Sequence, residues 1–238
     1  MPLIFDHSPH NPPFIDFHTH RRTSQSGVLS IPNFSQKDFE DDIHSATFDC
    51  ASIGLHPWFL TRANFSKDFE KISQLVHNQA IVAIGECGLD KMRGEDLAFQ
   101  TTAFEAQIRL AESVSKPVVI HCVRAFGEII AVKKRLKPTV PLIIHGFNKN
   151  QNILDELLRH GFFISIGASI LPKNAVYTEE SPFSKIFQKI PLDRLFFETD
   201  DNENISISEV YEAAAEILKI DLNDLQSMIY TNFETIVK

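Results

Sequence analysis

Apolar and polar positions along the chain alternate between two kinds of segment. Short runs rich in β-branched and aromatic residues recur at "PFIDFHTH", "GVLSIPN", "TFDCASIGLH", "AIVAIGEC", "PVVIHC", "VPLIIHG", "GFFISIG" and "RLFFETD". Each reads as a buried parallel strand. Between most of them, apolar residues return every three to four positions with polar faces opposite, as in "SQKDFEDDIHSA", "DFEKISQLVHNQ", "EDLAFQTTAFEAQIRLAESVS", "AFGEIIAVKKRLK", "NILDELLRHG" and "PFSKIFQKI". That is the spacing of amphipathic helices. Two more, "SISEVYEAAAEILKI" and "LNDLQSMIYTNFETIVK", close the chain. Eight strands alternating with helices predict a distorted (β/α)8 TIM barrel. The distortion is expected early: "RRTSQS" is too short to hold a crossover helix, and Pro32 cannot donate to a ladder, which suits a short or edge strand.

Composition narrows the class. The 238 residues match the usual size of one barrel, about 250 residues. No linker, repeat or low-complexity tract interrupts them, so residues 1–238 read as a single domain. With 43% hydrophobic residues the chain can bury a large core, yet its longest apolar run falls far short of the roughly 20 residues of a membrane span. The start, "MPLIFDHSPHNPP", lacks the basic end and apolar stretch of a secretory signal. Cys50, Cys87 and Cys122 are odd in number and widely spaced, which predicts reduced thiols and a cytoplasmic location. A net charge of −8 gives the whole molecule the wrong sign for long-range attraction of a polyanion. A polyanionic substrate would need a local positive site.

Such a site is suggested by "FIDFHTH". Side chains alternate along a strand, so His18 and His20 share one face with Asp16, able to hold one metal ion. His56, Glu86, His121, His145 and Asp200 stand in the same way at the ends of strands three, four, five, six and eight. In a parallel barrel those ends open on one face, where the chemistry is built. Asp16 and Glu198 sit deeper on their strands, as residues that orient a ligand do. His7 and His10 fall in the leader, His44 and His77 in helical stretches, and His160 at a helix end. Cys87 and Cys122 follow Glu86 and His121 and turn to the opposite face.

At these residues the sequence resembles the TatD family of metal-dependent deoxyribonucleases. The likeness rests on "HTH" (18–20), "GLHP" (54–57), "GECGLD" (85–90), "KPVVIH" (116–121), "HGF" (145–147), "ETD" (198–200) and "NFETI" (232–236), with "QTTAFEAQIRLA" beside them. The resemblance implies two divalent metal ions, with His18, His20 and Asp200 on one, His121 and His145 on the other, and Glu86 between them. Three departures stand out. Val123 occupies the usual place of an arginine, with Arg124 one position later; "DNENISISEV" shortens the loop after "ETD"; and Arg21-Arg22 replace Leu-Asp after "HTH".

The expected chemistry is metal-assisted phosphodiester hydrolysis of DNA, single-stranded by preference, with Mg2+, Mn2+ or Zn2+. Asp200 would take the proton of the attacking water, with Glu86 beside it. His56, Arg21 and Trp58 would bind substrate, Trp58 by stacking on a base. No membrane and no obligate protein partner is expected. Two other classes use the same barrel: a small-molecule amide or ester hydrolase or deaminase, and a metal-binding interaction protein without catalysis.

Overall fold

The computed structural model describes residues 12–39, 48–171 and 182–237. His7, His10 and His44 lie outside them, as does the larger part of the helix expected over "SQKDFEDDIHSA", whose Gln36–Asp38 form a single 3-10 turn. Eight strands, β1 (Phe14–Thr19), β2 (Val28–Phe34), β3 (Ala51–Ile53), β4 (Ile81–Asp90), β5 (Val118–Val123), β6 (Leu142–Ile144), β7 (Phe163–Ile166) and β8 (Leu195–Phe197), form one sheet in chain order. The helices are α1 (Phe65–Leu75), α2 (Leu97–Val114), α3 (Phe126–Leu136), α4 (Gln151–Arg159), α5 (Pro182–Phe187), α6 (Ile207–Leu218) and α7 (Leu222–Ile236). The fold is the (β/α)8 barrel that the alternation predicts, and no helix lies between β1 and β2. Among the described residues no helix is long and apolar enough to cross a membrane.

Two compact units divide the chain, one made of residues up to Ile31 with His145–Ile236, the other of Pro32–Ile144. In the second, β2 pairs with β3 from Asn33 onward, beyond the proline that cannot donate. β4 is ten residues long and wholly buried, longer than its apolar run suggests because it continues through Gly88 to Asp90. Gly88 faces His121 on β5 at φ +146°, and a Cβ there would lie 2.1 Å from the His121 carbonyl oxygen. Only glycine fits that approach. Helix α2 begins at Asp96, whose carboxylate caps Phe99 N–H, and ends at Ser115 in the left-handed conformation.

In the first unit β8 returns to β1. Thr19 bridges Asp200 in parallel register, Asp200 N–H donates to His18 O (2.9 Å) and His20 N–H donates to Asp200 O (3.0 Å). Asp16 tightens this return by accepting from the Thr199 backbone N–H (2.9 Å) and hydroxyl (2.7 Å). From α6, the Tyr211 hydroxyl accepts from Ile15 N–H and donates to Ile15 O, both at 3.2 Å. From α7, the Asn232 side chain donates to the carbonyls of Leu192 and Leu195 at the start of β8.

Two outcomes follow from this framework. Gly88→Ala places a methyl against backbone at a φ that alanine resists, and its unfolding free energy in urea drops by about 2–4 kcal/mol. Burial pushes the Asp16 carboxyl up to about 7, against the hydrogen bonds from Thr199. A carboxyl raised from 3.8 in the unfolded chain keeps its proton longer when folded. It therefore favours folding most below about pH 4 and loses that contribution as pH rises toward 7. Urea denaturation of chelator-treated protein shows stability falling across this window, and Asp16→Asn flattens the fall.

Candidate metal sites

In the first unit, the end of β1 and the loops after Ile144 and Phe197 bring His18, His20, His145 and Asp200 together. His18, His145 and Asp200 each offer a ligand atom, all within 4.8 Å of one another. His18 Nε2 lies 3.7 Å and His20 Nε2 3.5 Å from Asp200 Oδ1. Two atoms each about 2.0–2.2 Å from one ion in a tetrahedral arrangement stand about 3.3–3.6 Å apart, so one separation falls within that spacing and the other just beyond it, both longer than a good hydrogen bond. Asp200 lies three residues past β8, with φ +53°. Its backbone is held in that left-handed conformation by the two bonds to the end of β1.

Glu198 is buried behind this cluster. Its Oε1 accepts from Gly146 N–H (2.6 Å) and lies 3.5 Å from His145 Nδ1. Burial works to raise its pKa, but the neighbouring imidazoles of His145 and His18 outweigh it and hold the carboxyl below its usual range. A carboxylate at Nδ1 leaves Nε2 as the ligating nitrogen of His145. This is the supporting role read for Glu198. Asp16 supports differently, through Thr199 and not through an imidazole.

In the second unit, His56, Glu86 and His121 form a buried group whose ligand atoms are also within 4.8 Å of one another. Glu86 is not at a strand end: it lies inside β4, where the register with β5 shifts. Its Oε1 is 2.7 Å from His121 Nδ1 and 3.1 Å from His56 Nε2. His56 Nδ1 accepts from Trp58 N–H (3.1 Å), so the proton of the neutral ring sits on Nε2 and is donated to Glu86. His56 thus orients the carboxylate. His121 Nε2 lies 3.2 Å from Asp90 Oδ2, so its two nitrogens face two carboxylates. A neutral ring has one proton for the two; the lone pair that remains, together with Glu86, is a donor set for a divalent cation.

Asp90 was quoted within "GECGLD" without a role. It is buried and accepts from Trp58 Nε1 (2.5 Å) and Met92 N–H (2.7 Å) as well as facing His121. Burial raises its pKa, yet those bonds and the imidazole bring it below the usual value. Trp58 is 37% exposed, with its ring steeply inclined to those of His56 and His121, 5.0 and 5.5 Å away. Arg21 is tied to the loop after Asp200, donating to the carbonyls of Asn202 and Ile205. Arg124 is exposed, beyond β5, with φ +55°.

Sequence reasoning missed the side-chain amides that hold these groups. Gln107 on α2 accepts from Leu55 N–H (2.7 Å) and donates to Leu55 O (3.2 Å). Gln36 does the same for His56 (2.9 and 3.3 Å), and Gln100 for Asp90 (2.7 and 3.0 Å). Asn33 accepts from Glu86 N–H (2.6 Å) and from Ser52 (3.1 Å). The available signal was Gln100 and Gln107, seven apart in "QTTAFEAQ" and so on the helix face that also carries Ala103 and Phe104.

A model of the TatD related DNase family matches residues 16–238. The 3'-5' ssDNA/RNA exonuclease TatD of Edwardsiella piscicida is 34% identical over 155 residues, 64% of this chain and 58% of that protein, so the match spans less than two thirds of that relative's length. The metal-dependent hydrolase YcfH of Escherichia coli (strain K12) is 26% identical over 221 residues, covering 87% of this chain and 79% of that one. The crystal structure of YJJV, a TatD homologue from Escherichia coli K12, shares the fold with a TM-score of 0.78 at 22% identity, over 94% of this chain and 97% of that chain. With its family match running from the first site strand to the last residue, the chain belongs to the TatD related DNase family.

Proposed function

We propose that this protein is a divalent-metal-dependent hydrolase that cleaves phosphodiester bonds of single-stranded DNA with an activated water. The observation that carries this reading is the geometry at Asp200, where two imidazole nitrogens stand 3.5 and 3.7 Å from one carboxylate oxygen. Family membership and the exonuclease among the relatives support the same reaction. His18, His20, His145 and Asp200 would ligate in the first unit, Glu86 and His121 in the second. Two divalent ions are proposed, with Mg2+, Mn2+ and Zn2+ as the candidates, since imidazoles and carboxylates suit all three to different degrees.

When bound, the ions supply positive charge for a phosphoryl oxygen and make water acidic enough to attack near neutral pH. The side chains do the rest. Asp200, half-buried and fixed in direction by its backbone bonds, orients the attacking water and takes its proton. Glu86 contributes negative charge at a place set by Asn33 and His56. His56, with Nδ1 taken by Trp58 N–H and Nε2 by Glu86, keeps that carboxylate in place, and Trp58 offers an aromatic surface beside it. A cytoplasmic location accords with three cysteines that are all free thiols.

Purified protein given an end-labelled single-stranded oligonucleotide with Mg2+, Mn2+ or Zn2+ shortens it in at least one metal. Asp200→Asn lowers the rate at least about a hundredfold while its far-ultraviolet circular dichroism matches the parent. A mutant with undiminished activity removes Asp200 from the reaction, and no cleavage with any of the metals overturns the nuclease reading.

A further inference from the structure

The loop between β4 and α2 in the second unit is held unusually firmly for an exposed segment. The Gln100 amide, besides binding both backbone groups of Asp90, donates to the carbonyls of Arg93 (3.1 Å) and Glu95 (2.6 Å). Gly94, at φ +94°, lies so close to the preceding "HP" turn that a Cβ would stand 2.4 Å from Pro57 O. The Arg93 guanidinium lies over the Trp58 ring, 4.2 Å from its centroid. The indole is itself fixed by its N–H bond to Asp90. A chain of contacts thus sets Arg93 relative to the His56, Glu86 and His121 cluster.

Arg93 is exposed, and it pairs with no carboxylate among the described residues. The acids around it are engaged elsewhere: Glu95 and Asp96 with Arg62, Glu128 with Lys91, and Asp90 with Trp58 and His121. A guanidinium carried over an aromatic ring still has N–H donors at its edge for other partners. The side chain is therefore a positioned cation with its hydrogen-bonding fork open. The Trp58 and His121 rings are 5.5 Å apart, which sets Arg93 within about 10 Å of the His121 ring. In a protein of net charge −8, a single uncompensated cation at this place is a local attraction for an anion.

We infer that Arg93, carried on the Trp58 ring, binds a backbone phosphate of the single strand whose phosphodiester lies at the neighbouring cluster. The inference rests on the nuclease reading for the substrate class and adds the residue that holds the strand. Trp58 serves as the platform for that arginine, and its indole N–H bond to Asp90, with the rings of His56 and His121 against it, fixes the platform's direction. The fork would accept two phosphate oxygens side by side, a match that lysine, a point charge, does not provide.

The test is fluorescence anisotropy of a labelled single-stranded oligonucleotide with chelator-treated protein, across a salt series, for the parent, Arg93→Gln and Arg93→Lys. Arg93→Gln weakens binding about tenfold at low salt and reduces the slope of log affinity against log salt by about 0.7, one single-strand phosphate contact. Arg93→Lys keeps the parental slope and recovers part of the affinity. Equal affinity and slope in the parent and Arg93→Gln overturn the inference. So does equal weakening in both variants with unchanged slopes, because that marks a structural role. Cleavage of the same oligonucleotide by metal-loaded parent protein is scored separately. Arg93-dependent binding without cleavage upholds the inference and sinks the nuclease reading; a parent that binds no strand sinks the inference.

Discussion

Every strand end leaves backbone N–H and C=O groups without ladder partners, and the candidate ligands of this protein stand at, near or just past such ends, with Glu86 four residues inside β4. Those polar groups cannot be buried unpaired without a cost comparable to a lost hydrogen bond. The protein meets this constraint with side chains. Gln107, Gln36 and Gln100 each bind both backbone groups of one residue, as a neighbouring strand would, at Leu55, His56 and Asp90. Tyr211 does so for Ile15, while Asp16 and Glu198 accept from Thr199 and Gly146. Rigidity past the strand ends is what lets imidazoles and carboxylates be aimed.

The same arrangement of charge appears in both units. A buried carboxylate stands at one nitrogen of a candidate ligand histidine: Glu198 at His145 Nδ1, and Asp90 at His121 Nε2. In each case burial alone would favour the neutral acid, and polar neighbours reverse the outcome, His145 and His18 at Glu198, and Trp58, Met92 N–H and His121 at Asp90. Negative charge is thereby retained at the site, where it fixes the ring and makes its other nitrogen a better donor to a cation. Asp16 lies at the opposite extreme. Its bonds to Thr199 do not offset its burial, so it titrates near neutrality and serves the backbone and not a ligand.

Much of this was legible in the sequence because strand periodicity is strict. His18 and His20 share a face by counting, and each of the eight apolar runs overlaps an observed strand. Counting failed where the backbone leaves the ideal pattern. Glu86 reads as a strand end, but β4 continues four residues beyond it, carried by glycines that approach β5 more closely than any side chain permits. Asp200 depends on a left-handed backbone that a sequence pattern does not announce. The glutamine clamps were hidden for another reason: a polar residue on an amphipathic helix is ordinarily solvated, and only the fold shows Gln100 and Gln107 facing the core. Arg93 was invisible because its place depends on the ring of Trp58, thirty-five positions earlier in the chain.

The central claim is that the histidines and carboxylates of both units form divalent-metal ligands. The most direct test is anomalous diffraction from crystals grown with Mn2+ or Zn2+, collected on either side of the metal's absorption edge. The account predicts anomalous density bonded to His18, His20 and Asp200 with His145 near it, and density bonded to Glu86 and His121. Absence of anomalous density at both clusters under saturating metal would contradict it.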